Sequence, residues 1–124
     1  MYTKEVSDHI ANPRNVGELT NPSGIGDVTN TVCMDRIRLS IRIDDDRLTD
    51  ARVQAYGCPP TIAAASALTE LIVGRSLTDL SSLDRKAITT ALGRLPAAKV
   101  HCAVLAIEAL RAAIQNADHT DCAP

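Results

Sequence analysis

Ala55-Tyr56-Gly57-Cys58-Pro59-Pro60-Thr61-Ile62 marks the point where an alternating strand gives way to an Ala-rich segment of helical spacing. Proline has a fixed φ and no N–H, so a proline pair suits the first turn of a helix and puts Cys58 at its start. A helix N-terminus carries partial positive charge and free N–H groups, which favour an anionic sulfur there. A thiolate binds metal or attacks sulfur. What else the fold brings near Cys58 therefore decides its chemistry.

Upstream, Ile37, Leu39, Ile41 and Ile43 alternate with Arg36, Arg38, Ser40 and Arg42, a period of two with one buried and one wet face. Asp44-Asp45-Asp46-Arg47 reads as a turn. The strand after it points Ala51, Val53 and Ala55 inward and Asp50, Arg52 and Gln54 outward. Cys33 lies thirteen positions before Asp46 and Cys58 twelve after it, so antiparallel pairing brings both to the open end of the hairpin. Asp35 shares strand parity with Cys33 and belongs at the same corner. Further upstream, Val6 and Ile10 fit a short amphipathic helix over 2–11, ended by Asn12-Pro13. The Gly-rich loop 20–26 leads into a first edge strand near Asp27–Val32.

Downstream, Thr61 to Val73 reads as a helix with Ile62, Ser66, Thr69, Ile72 and Val73 on one stripe and Gly74 as its stop. Ser76 to Asp79 starts a short turn or helix, and Asp84 to Leu92 forms another, closed by Gly93. Leu95-Pro96-Ala97 opens the longest helix, to about Asn116, with Val100, Val104, Ile107, Leu110 or Arg111, and Ile114 as its stripe. His101 and Cys102 fall beside that stripe in its early turns. Residues 117–124 show no period and read as a frayed tail. The fold class is α+β: a small three-stranded antiparallel sheet on several helices, with a long C-terminal helix.

The 124 residues suffice for one compact domain, 1–124, and are too few for two. With 45% hydrophobic and 23% charged residues, a folded chain is expected rather than a disordered one. A net charge of −2 argues against nucleic acid or an anionic membrane as partner. Two Tyr, no Phe and no Trp leave no base-stacking platform and an aliphatic core. No apolar run has the length of a membrane span, and the N-terminus has no signal-peptide or transit-peptide character, so a cytoplasmic location is expected.

In such a compartment Cys33, Cys58, Cys102 and Cys122 read as metal or catalytic thiols rather than disulfides. Cys33, Cys58 and Cys102, with His101 or Asp35, make a four-ligand set of the kind zinc and iron–sulfur clusters take. The blander reading makes each cysteine a small buried hydrophobe, least convincingly so for Cys58 between Gly57 and Pro59. Cys122 and His119 sit in the polar tail and carry no role. His9, beside Asp8, reads as surface, and the Asp44–Asp46 run lacks the glycine and distal glutamate of a calcium loop.

With those residues in view, the chain resembles the iron–sulfur cluster assembly scaffold family of the IscU/NifU N-terminal type. Four stretches carry the likeness: Asp8-His9 with Asn12-Pro13-Arg14-Asn15-Val16-Gly17; Cys33 with Asp35; Tyr56-Gly57-Cys58 with Ile62-Ala63 and Ser66; and Lys99-Val100-His101-Cys102. Tyr2 is a weaker match to a family tyrosine. The resemblance implies a scaffold, not an enzyme, on which a transient [2Fe–2S] cluster is built and passed on. Its ligands would be Cys33, Cys58, Cys102 and either His101 or Asp35. Sulfur would come from a cysteine desulfurase, with Cys102 as the persulfide acceptor. Apo iron–sulfur proteins or carriers would receive the cluster, and ferredoxin and frataxin-like proteins would supply electrons and iron. Asp35 would keep the cluster labile, and Lys99 would pair with Asp35 and modulate it.

Met34 stands where the family carries glycine between Cys and Asp, which removes backbone freedom beside a ligand. Pro59-Pro60 replaces a small flexible pair, so a more rigid site is expected. Leu95-Pro96-Ala97-Ala98-Lys99 departs from the family's chaperone-recognition stretch and argues against handover through a dedicated chaperone pair. The additional domains of longer NifU-type proteins are not expected.

Two other classes compete. In a zinc-dependent sulfurtransferase, Zn²⁺ would sit on Asp35, Cys58 and Cys102, and Cys33 would accept persulfide. Sulfur-acceptor relatives usually carry an insertion between the second and last sites, and none is evident between Cys58 and Cys102. A purely structural zinc protein fits Asp35 poorly, since durable sites favour Cys and His.

Overall fold

The computed structural model describes residues 2–31 and 34–117. The elements are α1 (Lys4–Ala11), β1 (Gly24–Asn30), β2 (Asp35–Asp44), β3 (Arg47–Tyr56), α2 (Pro59–Ile72), α3 (Leu77–Ser81), α4 (Arg85–Ala91), a 3-10 turn (Ala97–Lys99) and α5 (Val100–Gln115). The three strands form one antiparallel sheet in chain order. This is the expected α+β layout.

The hairpin follows from its turn. Asp45 and Asp46 both take positive φ, 52° and 61°, the conformation that matches a two-residue turn to the twist of its strands. Register then pairs Asp44 with Arg47 and Ile37 with Ala55, with one irregularity near Arg42/Ile43. Ile37, Leu39, Ile41, Leu48 and Ala51 are fully buried on the inner face, where α2 and α5 cover the sheet.

β1 begins earlier than the sequence suggests, at Gly24 rather than near Asp27. The glycines that look like loop residues are strand residues under α5. A Cβ on Gly24 would collide with Ala113 and Ala117, and one on Gly26 with Ala109 and Ala113. The strand thus lies directly on the helix backbone.

That close approach also corrects the buried face of α5. Ile107 and Leu110 of the expected stripe are buried, but so are Cys102, Ala103, Ala106, Ala109 and Ala113, while Val100 and Ile114 are only partly buried beside the core. A helix this near a sheet turns its small residues inward, so Cys102 lies on the buried face and not beside it. The regular helix starts at Val100, after the 3-10 turn.

α2 starts at Pro59, two residues earlier than Thr61, because both prolines fit the first turn with Cys58 as N-cap. Val73 is 41% exposed and lies outside the helix. The loop 12–17 is held on α2 and β3. Arg14 N–H donates to Ser66 Oγ at 2.8 Å, Asn15 Nδ2 to Thr69 Oγ1 at 3.0 Å, and Gly17 N–H to the Val53 carbonyl at 2.9 Å. His9 is buried, against expectation, with Nδ1 2.7 Å from Ser66 Oγ and Nε2 3.6 Å from Glu70. Helix α1 docks on α2 through it.

No described helix is long and apolar enough to cross a membrane.

Candidate metal centre

Three chain segments meet at the open end of the hairpin. Asp35 is the first residue of β2, Cys58 is the N-cap of α2, and His101 and Cys102 lie in the first turn of α5. One ligand atom from each of Asp35, Cys58 and Cys102 lies within 4.8 Å of the others. Asp35 is 2% exposed and Cys102 fully buried, whereas Cys58 is half-buried and opens the corner to solvent.

Gly57 makes the corner possible. Its φ is +137°, and a Cβ there would run into the Asp35 carboxylate. With no side chain in the way, Asp35 Oδ1 accepts the Cys58 N–H at 3.3 Å. The other carboxylate oxygen, Oδ2, lies 3.3 Å from His101 Nε2. That nitrogen is also 3.6 Å from Cys102 Sγ.

His101 Nδ1 is 3.1 Å from the Ala98 carbonyl oxygen. A carbonyl has no proton to give, so Nδ1 carries the hydrogen. In the neutral ring, Nε2 then turns a lone pair toward a carboxylate and a sulfur. A proton on Nε2 or a bound cation would bridge that nitrogen and the carboxylate.

The sulfurs fit a cation. Cys58 Sγ and Cys102 Sγ are 3.8 Å apart. A tetrahedral ion about 2.3 Å from each of two thiolates sets them about 3.8 Å apart. Without an ion, burial pushes the Cys102 thiol up to about 12, while the Thr61 hydroxyl opposes that rise and nearby Cys58 adds to it. A bound cation reverses the balance by favouring thiolate.

Thr61 is the residue that sequence reasoning missed. It is fully buried, and its Oγ1 lies 3.3 Å from both Cys58 Sγ and Cys102 Sγ. The signal was present: three positions after a helix N-cap, a side chain returns over that cap.

The other expected residues fall as follows. Lys99, half-buried at the start of α5, makes no ion pair with Asp35 among the described residues; the His101 ring, with Nε2 3.3 Å from Oδ2, lies there instead. Met34 has φ +62° and is 70% exposed, so a side chain sits in backbone geometry that glycine adopts freely. Cys33, His119 and Cys122 lie outside the described residues.

Fold and corner together define a class: a small α+β protein that gathers thiols, a carboxylate and an imidazole at a hairpin's open end. The chain belongs to the NifU-like N-terminal domain family, which it matches over residues 1–122. It is 42% identical over 114 residues to iron–sulfur cluster assembly scaffold protein IscU 1 of Archaeoglobus fulgidus, covering 92% of this chain and 74% of that one. To the scaffold protein IscU of Haemophilus influenzae it is 40% identical over 119 residues, covering 93% and 94%. The crystal structure of a NifU-like N-terminal protein from Brucella abortus shares the fold, with a TM-score of 0.78 at 16% identity and 91% of each chain covered.

Proposed function

We propose that this chain is a scaffold that holds a [2Fe–2S] cluster as transient cargo. The observation that carries the reading is the convergence of Asp35, Cys58 and Cys102, ligand atoms within 4.8 Å of one another. Cys33, two positions before Asp35 in sequence, would add a third thiolate, and Asp35 or His101 would complete the set. A carboxylate is a hard partner for a cluster that prefers thiolate, so Asp35 suits a cargo that must leave.

Sulfur would arrive from a cysteine desulfurase as persulfide, with Cys102 as its final holder. Iron and electrons would come from frataxin-like and ferredoxin partners, and apo iron–sulfur proteins or carriers would take the product. Lys99 is near enough in sequence to His101 to modulate the site. Handover would bypass a dedicated chaperone pair, given the Leu95–Lys99 stretch. A single domain acting in the cytoplasm completes the proposal.

The same three atoms also suit Zn²⁺, which takes three protein ligands and an open position in reactive sites. A zinc sulfurtransferase is therefore the second reading. Iron, sulfide and zinc analysis of protein purified without oxygen, with its visible spectrum, separates them. Equal iron and sulfide with [2Fe–2S] absorbance supports the scaffold; stoichiometric zinc that iron and sulfide cannot replace overturns it.

A further inference from the structure

The two described cysteines of the corner differ in access. Cys102 is fully buried, whereas Cys58 is half-buried at the helix start. A persulfide carried on another protein's cysteine must come within reach of the thiol that attacks it, and only Cys58 of this pair offers a surface. Between the two sulfurs stands the Thr61 hydroxyl, 3.3 Å from each. It donates to Cys102 Sγ, and its single hydrogen being so used, it meets the Cys58 thiol as an acceptor.

We propose that sulfur enters at Cys58 and is relayed inward to Cys102, with the Thr61 hydroxyl carrying the proton between them. This rests on the scaffold reading above.

In the first step the Cys58 sulfur attacks the outer sulfur of a donor protein's persulfide. A new S–S bond forms on Cys58, the donor's S–S bond breaks, and the Cys58 proton leaves with the donor thiol. In the second step Cys102 attacks the outer sulfur now on Cys58. That S–S bond breaks as one forms on Cys102. Once Cys58 has given up its own proton, the hydroxyl turns its hydrogen from Cys102 toward Cys58, a contact in which either atom can donate. The Cys102 proton then passes to Thr61 Oγ1 as the hydroxyl's hydrogen passes to Cys58, which ends as a thiol. One S–S bond replaces another in each step, so neither needs an oxidant or reductant. The two sulfurs start 3.8 Å apart, within reach of a sulfur atom carried on either one.

The test is a time course of metal-free protein with a cysteine desulfurase and cysteine, each persulfide trapped by alkylation and located by peptide mass spectrometry. In the unsubstituted protein, persulfide is expected on Cys58 first and on Cys102 later. Cys102→Ser should accumulate it on Cys58. Thr61→Val, which keeps the shape and removes the hydroxyl, should load Cys58 at the normal rate and slow the step to Cys102 by about tenfold or more. Thr61→Ser should restore that step, which a role in packing alone would not predict. First appearance on Cys102 or Cys33, or an unchanged second step in Thr61→Val, overturns the relay and leaves the scaffold reading standing. Persulfide on none of the cysteines overturns both.

Discussion

The sulfurs of Cys58 and Cys102 lie 3.8 Å apart although the residues stand 44 positions apart in the chain. Neither helix makes that contact alone. α2 carries Cys58 to the corner at its N-cap, and α5 turns Cys102 inward because its small residues pack on the glycines of β1. The pair is thus a product of how closely the helices approach the sheet.

Gly57 is where the corner is most easily broken. Gly57→Ala would place a methyl group against the Asp35 carboxylate at a φ of +137°. Backbone strain alone should cost about 1–3 kcal/mol in chemical denaturation. Displacement of Asp35 should also weaken zinc binding, measured by competition with a chromophoric chelator. Unchanged affinity would show that Asp35 takes no part in holding the ion.

Asp35 itself should control how long cargo stays. Asp35→Ala removes the hard oxygen ligand and the partner of His101 Nε2. Decay of the visible absorbance after reconstitution should become slower. An unchanged or faster decay would count against its proposed role in lability.

Met34 holds φ +62° with its side chain 70% exposed, while its N–H donates to the Asn30 carbonyl. Left-handed geometry costs about 1–2 kcal/mol for a residue with a Cβ, part of which glycine gives back as unfolded-state entropy. Met34→Gly should therefore raise stability by roughly 0.5–1 kcal/mol. A loss of stability would mean that the side chain makes contacts that matter.

Acid should loosen the joint between α1 and α2. Burial pushes the His9 imidazole below its ordinary 6.5, with Arg14 acting the same way and Glu70 and Asp8 opposing. The unfolded chain then takes up the proton at higher pH than the folded one, so this stability is whole above about 6.5 and falls as the pH drops through it. Hydrogen bonds from Arg14 to Asp8 and from Arg36 to Asp27 hold both carboxyls low and add losses of the same sign at more acid pH. Denaturant midpoints at pH 7.5 and 5.5 should show the decline. Ser66→Ala, which strips both His9 and the Arg14 N–H of their partner, should cost about 1–3 kcal/mol at neutral pH.

Much of this was legible in the sequence. Period two over Ile37–Ile43 and the Asp-rich turn set the hairpin, and counting outward from the turn brought Asp35 and Cys58 to one end. What escaped depends on distances between elements. Gly24 and Gly26 read as loop because nothing in the chain announces a helix lying on their backbone. Of the branched stripe of α5, Ile107 and Leu110 are buried as expected, while close packing on β1 adds Ala106, Ala109 and Ala113 to the inner face. His9 looked like surface because its partners, Ser66 and Glu70, lie about sixty residues away on another helix. Thr61 reads in sequence as a helix start, and only the path of the first turn of α2 brings its hydroxyl back over Cys58.

The most direct measurement is anaerobic reconstitution with iron, a cysteine desulfurase and cysteine, followed by visible absorbance and circular dichroism of single-cysteine variants. The unsubstituted protein should develop the bands of a [2Fe–2S] centre. Cys33→Ala, Cys58→Ala and Cys102→Ala should each abolish them, and Cys122→Ala should leave them intact. A full-strength spectrum in Cys58→Ala or Cys102→Ala would contradict a cluster held at this corner.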